Sequence, residues 1–167
     1  DEGLSKTKWE MPFMQLLLKL AVIAIIYVLI YWVAGYYIAW QNPELRAFYG
    51  SPGDIDPFFA HTLRTIRNTP GLILLQLVRG VLFALIALPV IAGSKVKPWT
   101  TALLVGFLLA LPHLGHILPN PLMPLASVRL SHMIETFTST FFFGLIIVWL
   151  LHRKHSSFRD LLYKKEI

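Results

Sequence analysis

Residues 20–40 read LAVIAIIYVLIYWVAGYYIAW, twenty-one positions without a charge. At about 1.5 Å of rise per residue, a helix of this length crosses a hydrocarbon core of roughly 30 Å. Three further runs follow. Residues 71–92, between Pro70 and Gly93-Ser94, hold one charge, Arg79. Residues 99–118 open after Lys97-Pro98 and stay uncharged to Leu111, where Pro112 intervenes; this run spans only if it continues past that proline, so a kink or break is expected there. Residues 128–151 form the fourth. Backbone in lipid must satisfy its own hydrogen bonds, and no run shows the short alternation of a barrel strand. The sequence therefore predicts an all-α integral membrane protein, a bundle of four transmembrane helices making one membrane domain over residues 1–167.

Composition agrees. The chain is 56% hydrophobic and only 14% charged, against roughly a quarter charged in soluble domains. So thin a polar coat leaves part of the surface for lipid to cover. With no cysteine, disulfide-stapled folds and thiol chemistry are excluded. The net charge of +6 would suggest nucleic acid if it formed one patch. It does not. Lys6, Lys8, Lys19, Lys95, Lys97, Arg153, Lys154, Arg159, Lys164 and Lys165 fall on one side of the four spans, and Arg46, Arg64 and Arg67 on the other. Ten against three is a positive-inside bias. It predicts a multi-pass protein of a plasma membrane, of the bacterial inner-membrane kind, with both termini cytoplasmic. Membrane lipids are the expected partners, with other membrane subunits or further copies of the chain, and nucleic acid is not.

Aromatic residues mark the interfaces: Trp32, Tyr36, Tyr37 and Trp40 at the outer end of the first span, Trp99 and Trp149 at the inner face, where Lys19 is expected to snorkel. The outer loop, residues 41–70, opens with Asn42-Pro43 and contains the turn cluster Gly50-Ser51-Pro52-Gly53-Asp54. An amphipathic helix is expected after it, with Asp56 as N-cap, Pro57 at its first position and Phe59, Leu63 and Ile66 along one face. The basic cytoplasmic tail, residues 152–167, and the stretch before the first span, WEMPFMQLLLK, are expected to lie on the inner leaflet.

Ionisable residues within spans cost about 2.5–3.5 kcal/mol on insertion scales and mark sites by default. Here they gather at one depth. In the fourth span Arg129, His132, Glu135, Thr136, Ser139 and Thr140 fall within an arc of roughly 140°. In the second, Gln76 and Arg79 share a face with Gly80, Phe83 and Ala87. Glu135 and Arg79 lie at matching depths, roughly 10–13 Å below the outer boundary, which predicts a buried Arg79–Glu135 ion pair. His113 and His116, in LPHLGHILPNPLMP, enter the same outer half.

Three chemistries suit such a cluster. Polar contacts serve as glue between lipid-embedded helices. A pocket built from Gln76, Arg79, Arg129, His132, Glu135 and Ser139 suits a small anionic or lipid-like ligand; this favours a non-enzymatic binding, sensing or accessory subunit without a cofactor. The alternative is a metal-dependent membrane-embedded hydrolase, with His113, His116, His132 and Glu135 holding zinc or iron. Against it, Arg79 and Arg129 oppose a cation, and the histidines lie too near helix ends to hold a haem between facing helices.

Overall fold

A computed structural model of the chain describes residues 13–152. Six α-helices follow one another in it: α1 (Phe13–Ala34), α2 (Pro43–Phe48), α3 (Phe58–Asn68), α4 (Gly71–Gly93), α5 (Pro98–Ala110) and α6 (Ala126–His152). A π-helical turn, Gly35–Ala39, extends α1, and a 3₁₀ turn, Leu111–Ile117, extends α5. With these extensions, four helical stretches are long and apolar enough to cross a membrane: Phe13–Ala39, Gly71–Gly93, Pro98–Ile117 and Ala126–His152. The protein is an all-α four-helix membrane protein. Its third span breaks at the expected place, because Pro112 removes a donor and the helix tightens rather than continuing regularly.

Two helix pairs make up the bundle. α1 packs most extensively on α4, α5 on α6, and α6 also reaches α1, α4 and α2. α6 is accordingly the most buried of the four spans. Small residues decide how close the pairs come. A Cβ on Gly80 would lie 2.9 Å from Tyr27 Cβ and 3.0 Å from Ala24 Cα, so α4 rests directly on α1. A Cβ on Gly144 would lie 2.6 Å from Gly106 Cα, so α5 and α6 meet backbone to backbone. The core between the pairs is apolar: Ile23, Ala84, Val105, Phe143, Ile147 and Leu151 are buried in it. Large apolar side chains such as Ile25, Leu29, Leu74, Leu82, Leu104 and Phe142 face outward instead, which suits a lipid solvent.

Several details depart from expectation. FMQLLLK is continuous with α1 instead of forming a separate surface segment, and the WEMP before it lies outside the described residues. Nothing in that stretch interrupts a helix. Lys19 is buried rather than snorkelling, because it shares the inward face with Ile23 one turn on. Trp32 is buried too, its ring edge-on to Tyr31. The loop helix starts at Phe58, with Pro57 and not Asp56 at the N-cap position; Asp56 pairs with Arg64 at 2.5 Å and its carbonyl accepts from the Tyr36 hydroxyl at 2.7 Å. The basic tail from residue 153 onward lies outside the described residues.

Two ends of the bundle can be told apart. One carries the turn at Gly35–Ala39, helices α2 and α3 and the start of α6, and is called here the loop end; the other carries Lys95 and Lys97 and is called the lysine end. At the loop end, α3 is pinned to α1 by aromatic contacts: Tyr36 and Tyr37 each pack on Phe58, and Trp40 lies 4.5 Å from the His61 ring. His61 Nδ1, Trp40 Nε1 and Thr62 Oγ1 are buried there without hydrogen-bond partners. Burial first, and then the nearby Arg64 charge, hold the His61 imidazole below its ordinary value, against a smaller opposing pull from Asp56.

A pH dependence follows from that depression. A histidine depressed in the fold is favoured neutral, so its contribution is complete above the unfolded value of about 6.5 and is lost as pH falls through the lower folded value. Acidification below the ordinary imidazole value is therefore expected to loosen α3 from Trp40, read as a change in Trp40 emission that His61→Phe abolishes. An unchanged transition in that variant would show that another group controls it.

Candidate functional site

The polar site is built on α6. Glu135 is 4% exposed, and its Oε2 lies 3.3 Å from His132 Nδ1, one turn earlier. His132 Nε2 lies 2.9 Å from the Tyr49 hydroxyl. An ionised carboxylate only accepts hydrogen bonds, so Nδ1 donates to it, and the neutral imidazole then accepts from the Tyr49 O–H at Nε2. The result is a chain of three groups, from a buried carboxylate through an imidazole to an exposed phenol. Partial burial and the Glu135 charge raise Tyr49 above the ordinary phenol value, which keeps its hydroxyl a donor.

Tyr49 reaches His132 because α2 is fastened to the start of α6. Asn42 caps α2 through its Oδ1, which accepts from Glu44 N–H at 2.9 Å, and Pro43 takes the first helical position. The Asn42 amide donates to Ser131 Oγ at 2.8 Å and to Ser127 O at 3.2 Å, and the Ser127 hydroxyl donates to Glu44. Ala39, Leu45 and Val128 fill the contact beneath. Arg46, itself buried, donates to the carbonyls of Trp40, Gln41 and Gly53 and closes the following turn. Gly53 takes a φ of 127° there, which only glycine adopts without strain.

The π-helical turn supplies the wall behind the carboxylate. A Cβ on Gly35 would lie 3.7 Å from Glu135 Oε1, so Glu135 sits against the α1 backbone where the helix widens, closed by the bond from Trp40 N–H to Gly35 O at 2.8 Å. Single π turns of this kind are frequent at functional sites.

The buried Arg79–Glu135 contact inferred from depth does not form in this structure. Among the described residues Arg79 donates to Gln76 Oε1 at 3.3 Å, and its guanidinium lies 5.8 Å from the ring centres of both Tyr27 and Phe83. Each charge is held by nearer partners: Arg79 by Gln76 on its own helix and over the Tyr27 and Phe83 rings, Glu135 by His132 beside the Gly35 backbone. Equal depth on two helices does not bring side chains together when each has a closer partner.

The remaining candidates separate. Arg129 donates to the carbonyls of Met123 at 2.8 Å, Pro124 at 2.7 Å and Ile117 at 3.4 Å, and so holds the connection between α5 and α6. Ser139 donates to Thr136 O and lines a lipid-facing apolar groove with Leu29, Val33 and Phe142. His113 and His116 stack on each other, rings 5.6 Å apart, and His113 Nε2 lies 3.3 Å from Thr140 Oγ1. Thr140 is five residues beyond Glu135, about 7.5 Å along the helix. The four proposed metal ligands thus form two pairs, His113–His116 and His132–Glu135, and among the described residues no three His, Asp or Glu side chains come together. The 3₁₀ turn puts the first pair against Thr140 rather than Glu135.

Three contributors escaped the sequence reading. Tyr49 lies in a loop, Gly35 reads as one more small residue in an apolar run, and Arg46 reads as an exterior charge. The Asn42-Pro43 pair, a helix-start signal, was the available clue to α2 and hence to Tyr49. Compared with protein-family models, curated proteins and solved structures, the chain finds no match.

Proposed function

We propose that the protein is a non-enzymatic binding or sensing subunit of a plasma membrane, both termini cytoplasmic, that takes a small anionic or lipid-like ligand in the loop-end half of its bundle. Arg79 carries this reading. It is a half-buried cation inside a span, held between two aromatic rings, with one hydrogen bond to Gln76 among the described contacts. A guanidinium has five donors in a planar fork. Those not used on Gln76 suit a carboxylate or phosphate bidentately, and the rings beside it suit an apolar body. Intramembrane arginines mark ligand paths by default.

Oleate and methyl oleate test this reading, because they share the chain and differ in the charge. The full-length protein in mild detergent is expected to bind oleate and not the ester. Hydrogen bonds to charged groups contribute about 1.5–3 kcal/mol, so Arg79→Ala is expected to weaken oleate binding by about ten- to a hundredfold. Arg79→Lys, which keeps the charge without the fork, should fall between. Equal binding of acid and ester, or an Arg79→Ala protein that binds oleate as tightly as the parent, rejects the proposal.

A further inference from the structure

At the lysine end of the bundle, away from Arg79 and Glu135, a second site is formed by packing alone. Beyond the close approach of Gly106 and Gly144, α5 and α6 leave a groove of about 470 Å³ between them. Ala102 forms its floor, Leu145 and Ile146 its deep end, and Trp99 and Trp149 flank its mouth with His152. The wall is almost wholly apolar. From Leu145 to His152 it runs seven residues, about 10 Å, in from the helix end.

Among the described residues, the charged side chains beside the mouth are of one sign. Lys95 and Lys97 are exposed on the connection leading into Pro98, which itself lines the groove. His152 is exposed at the other lip, and Arg153 and Lys154 follow it in sequence. No acidic residue occurs between Asp56 and Glu135, and the next after Glu135 is Asp160. An apolar slot about 10 Å deep, opening between paired tryptophans at a cationic rim, matches one kind of molecule: a lipid whose acyl chain fills the slot and whose headgroup is negative.

We propose that this groove is a binding site for an anionic glycerophospholipid, with an acyl chain between α5 and α6 and the phosphate at Lys95 and Lys97. The lysines supply the selectivity for charge, while the hollow over Ala102 supplies affinity for the chain. A zwitterionic lipid would fill the same slot with less attraction at the rim. A neighbouring helix is a poorer fit, because the lysines at the mouth would meet no opposite charge on an apolar span.

The test uses the full chain in phosphatidylcholine nanodiscs, doped with phosphatidylglycerol or phosphatidylcholine carrying brominated acyl chains, which quench nearby tryptophan. The protein is expected to show preferential quenching of Trp99 and Trp149 by the anionic lipid, confirmed by its loss in Trp99→Phe/Trp149→Phe. Lys95→Ala/Lys97→Ala should reduce the preference about fivefold for each lysine removed and leave the fold intact, since both are exposed. Ala102→Leu should diminish quenching by both lipids alike. Because Ala102 is also buried against the core, Ile146→Phe offers a second means of filling the slot, without adding a tryptophan to the readout. Equal quenching by the two lipids, or a preference that survives Lys95→Ala/Lys97→Ala, overturns the proposal. So does a stable dimer cross-linked through Trp99 that excludes the brominated lipid, which would make a second copy the occupant. Arg79 takes no part in this readout, so the outcome is separate from that of the oleate experiment.

Discussion

Gly144→Ala is expected to destabilise the bundle more than any other single methyl group added to it. The new Cβ would lie 2.6 Å from Gly106 Cα, 2.9 Å from Gly106 N and 3.2 Å from Val105 C. All three neighbours are backbone, so no side chain can rotate aside, and α5 as a whole must move from α6. Overpacking of a tight interface costs about 1–3 kcal/mol and occasionally more; Gly144→Leu belongs above that range. Separating the pair also weakens the van der Waals attraction between the helices, on which association in lipid depends in place of a hydrophobic drive. Gly106→Ala should be milder, since its Cβ would meet the Phe141 ring at 3.0 Å and the Phe141 carbonyl oxygen at 3.1 Å, wider than the 2.6 Å at Gly144 and in part against a side chain that can shift. Gly93→Ala, with nothing within 4 Å, is the control. Thermal or detergent-induced unfolding gives the ranking, and a Gly144→Ala protein as stable as Gly93→Ala would refute the close approach.

His132→Ala should have the next largest effect. It leaves the Glu135 carboxylate, 6% exposed as a side chain, without its imidazole. Removing the donor from a buried charged acceptor costs about 1.5–3 kcal/mol, most of it the penalty of the group left behind. Removing Glu135 as well should therefore restore part of the loss, so that the double variant His132→Ala/Glu135→Ala is clearly less than additive. Arg79 and Glu135 share no hydrogen bond or ion pair among the described residues, and their alanine variants should add within about 0.5 kcal/mol. This pair of cycles distinguishes the two arrangements. Strong coupling of Arg79 to Glu135, with none between His132 and Glu135, would restore the ion pair that depth suggested and discard the Tyr49–His132–Glu135 chain.

The two variants also show how legible the protein was. The Gly80 face was visible in sequence, because Gln76, Gly80, Phe83 and Ala87 recur at helical spacing on a span with one charge. Gly106 and Gly144 were not singled out, although Ala102, Gly106 and Ala110 repeat every four residues and are all buried. A small-residue pattern says that a close approach is allowed and does not say with which helix. That His132 and Glu135 share a face one turn apart is legible from spacing, a local property, although depth alone paired Glu135 with Arg79. The part of Tyr49 is not legible, since it joins them from eighty-three residues away through α2. Arg129 was placed in the pocket by its arc on α6, yet it folds back on the chain before its own helix, where three carbonyls outcompete a more distant partner.

By itself the sequence determines that the chain is helical, that it has four spans and that the third breaks at Pro112. These are sums over local windows: apolar length must match a hydrocarbon thickness, and a backbone without water must bond to itself. It also determines that a few polar residues lie within those spans. Only the tertiary structure decides which of them meet. That choice depends on the rotation of each helix about its axis and on which partners then lie nearest, and both are set by the contacts at Gly80 and at Gly106–Gly144 and by the Tyr27, Phe83 and Phe143 rings where α1, α4 and α6 meet. Hydropathy is indifferent to these rotations as long as lipid surrounds the bundle. Side-chain chemistry is not, and so the site belongs to the packing rather than to the pattern.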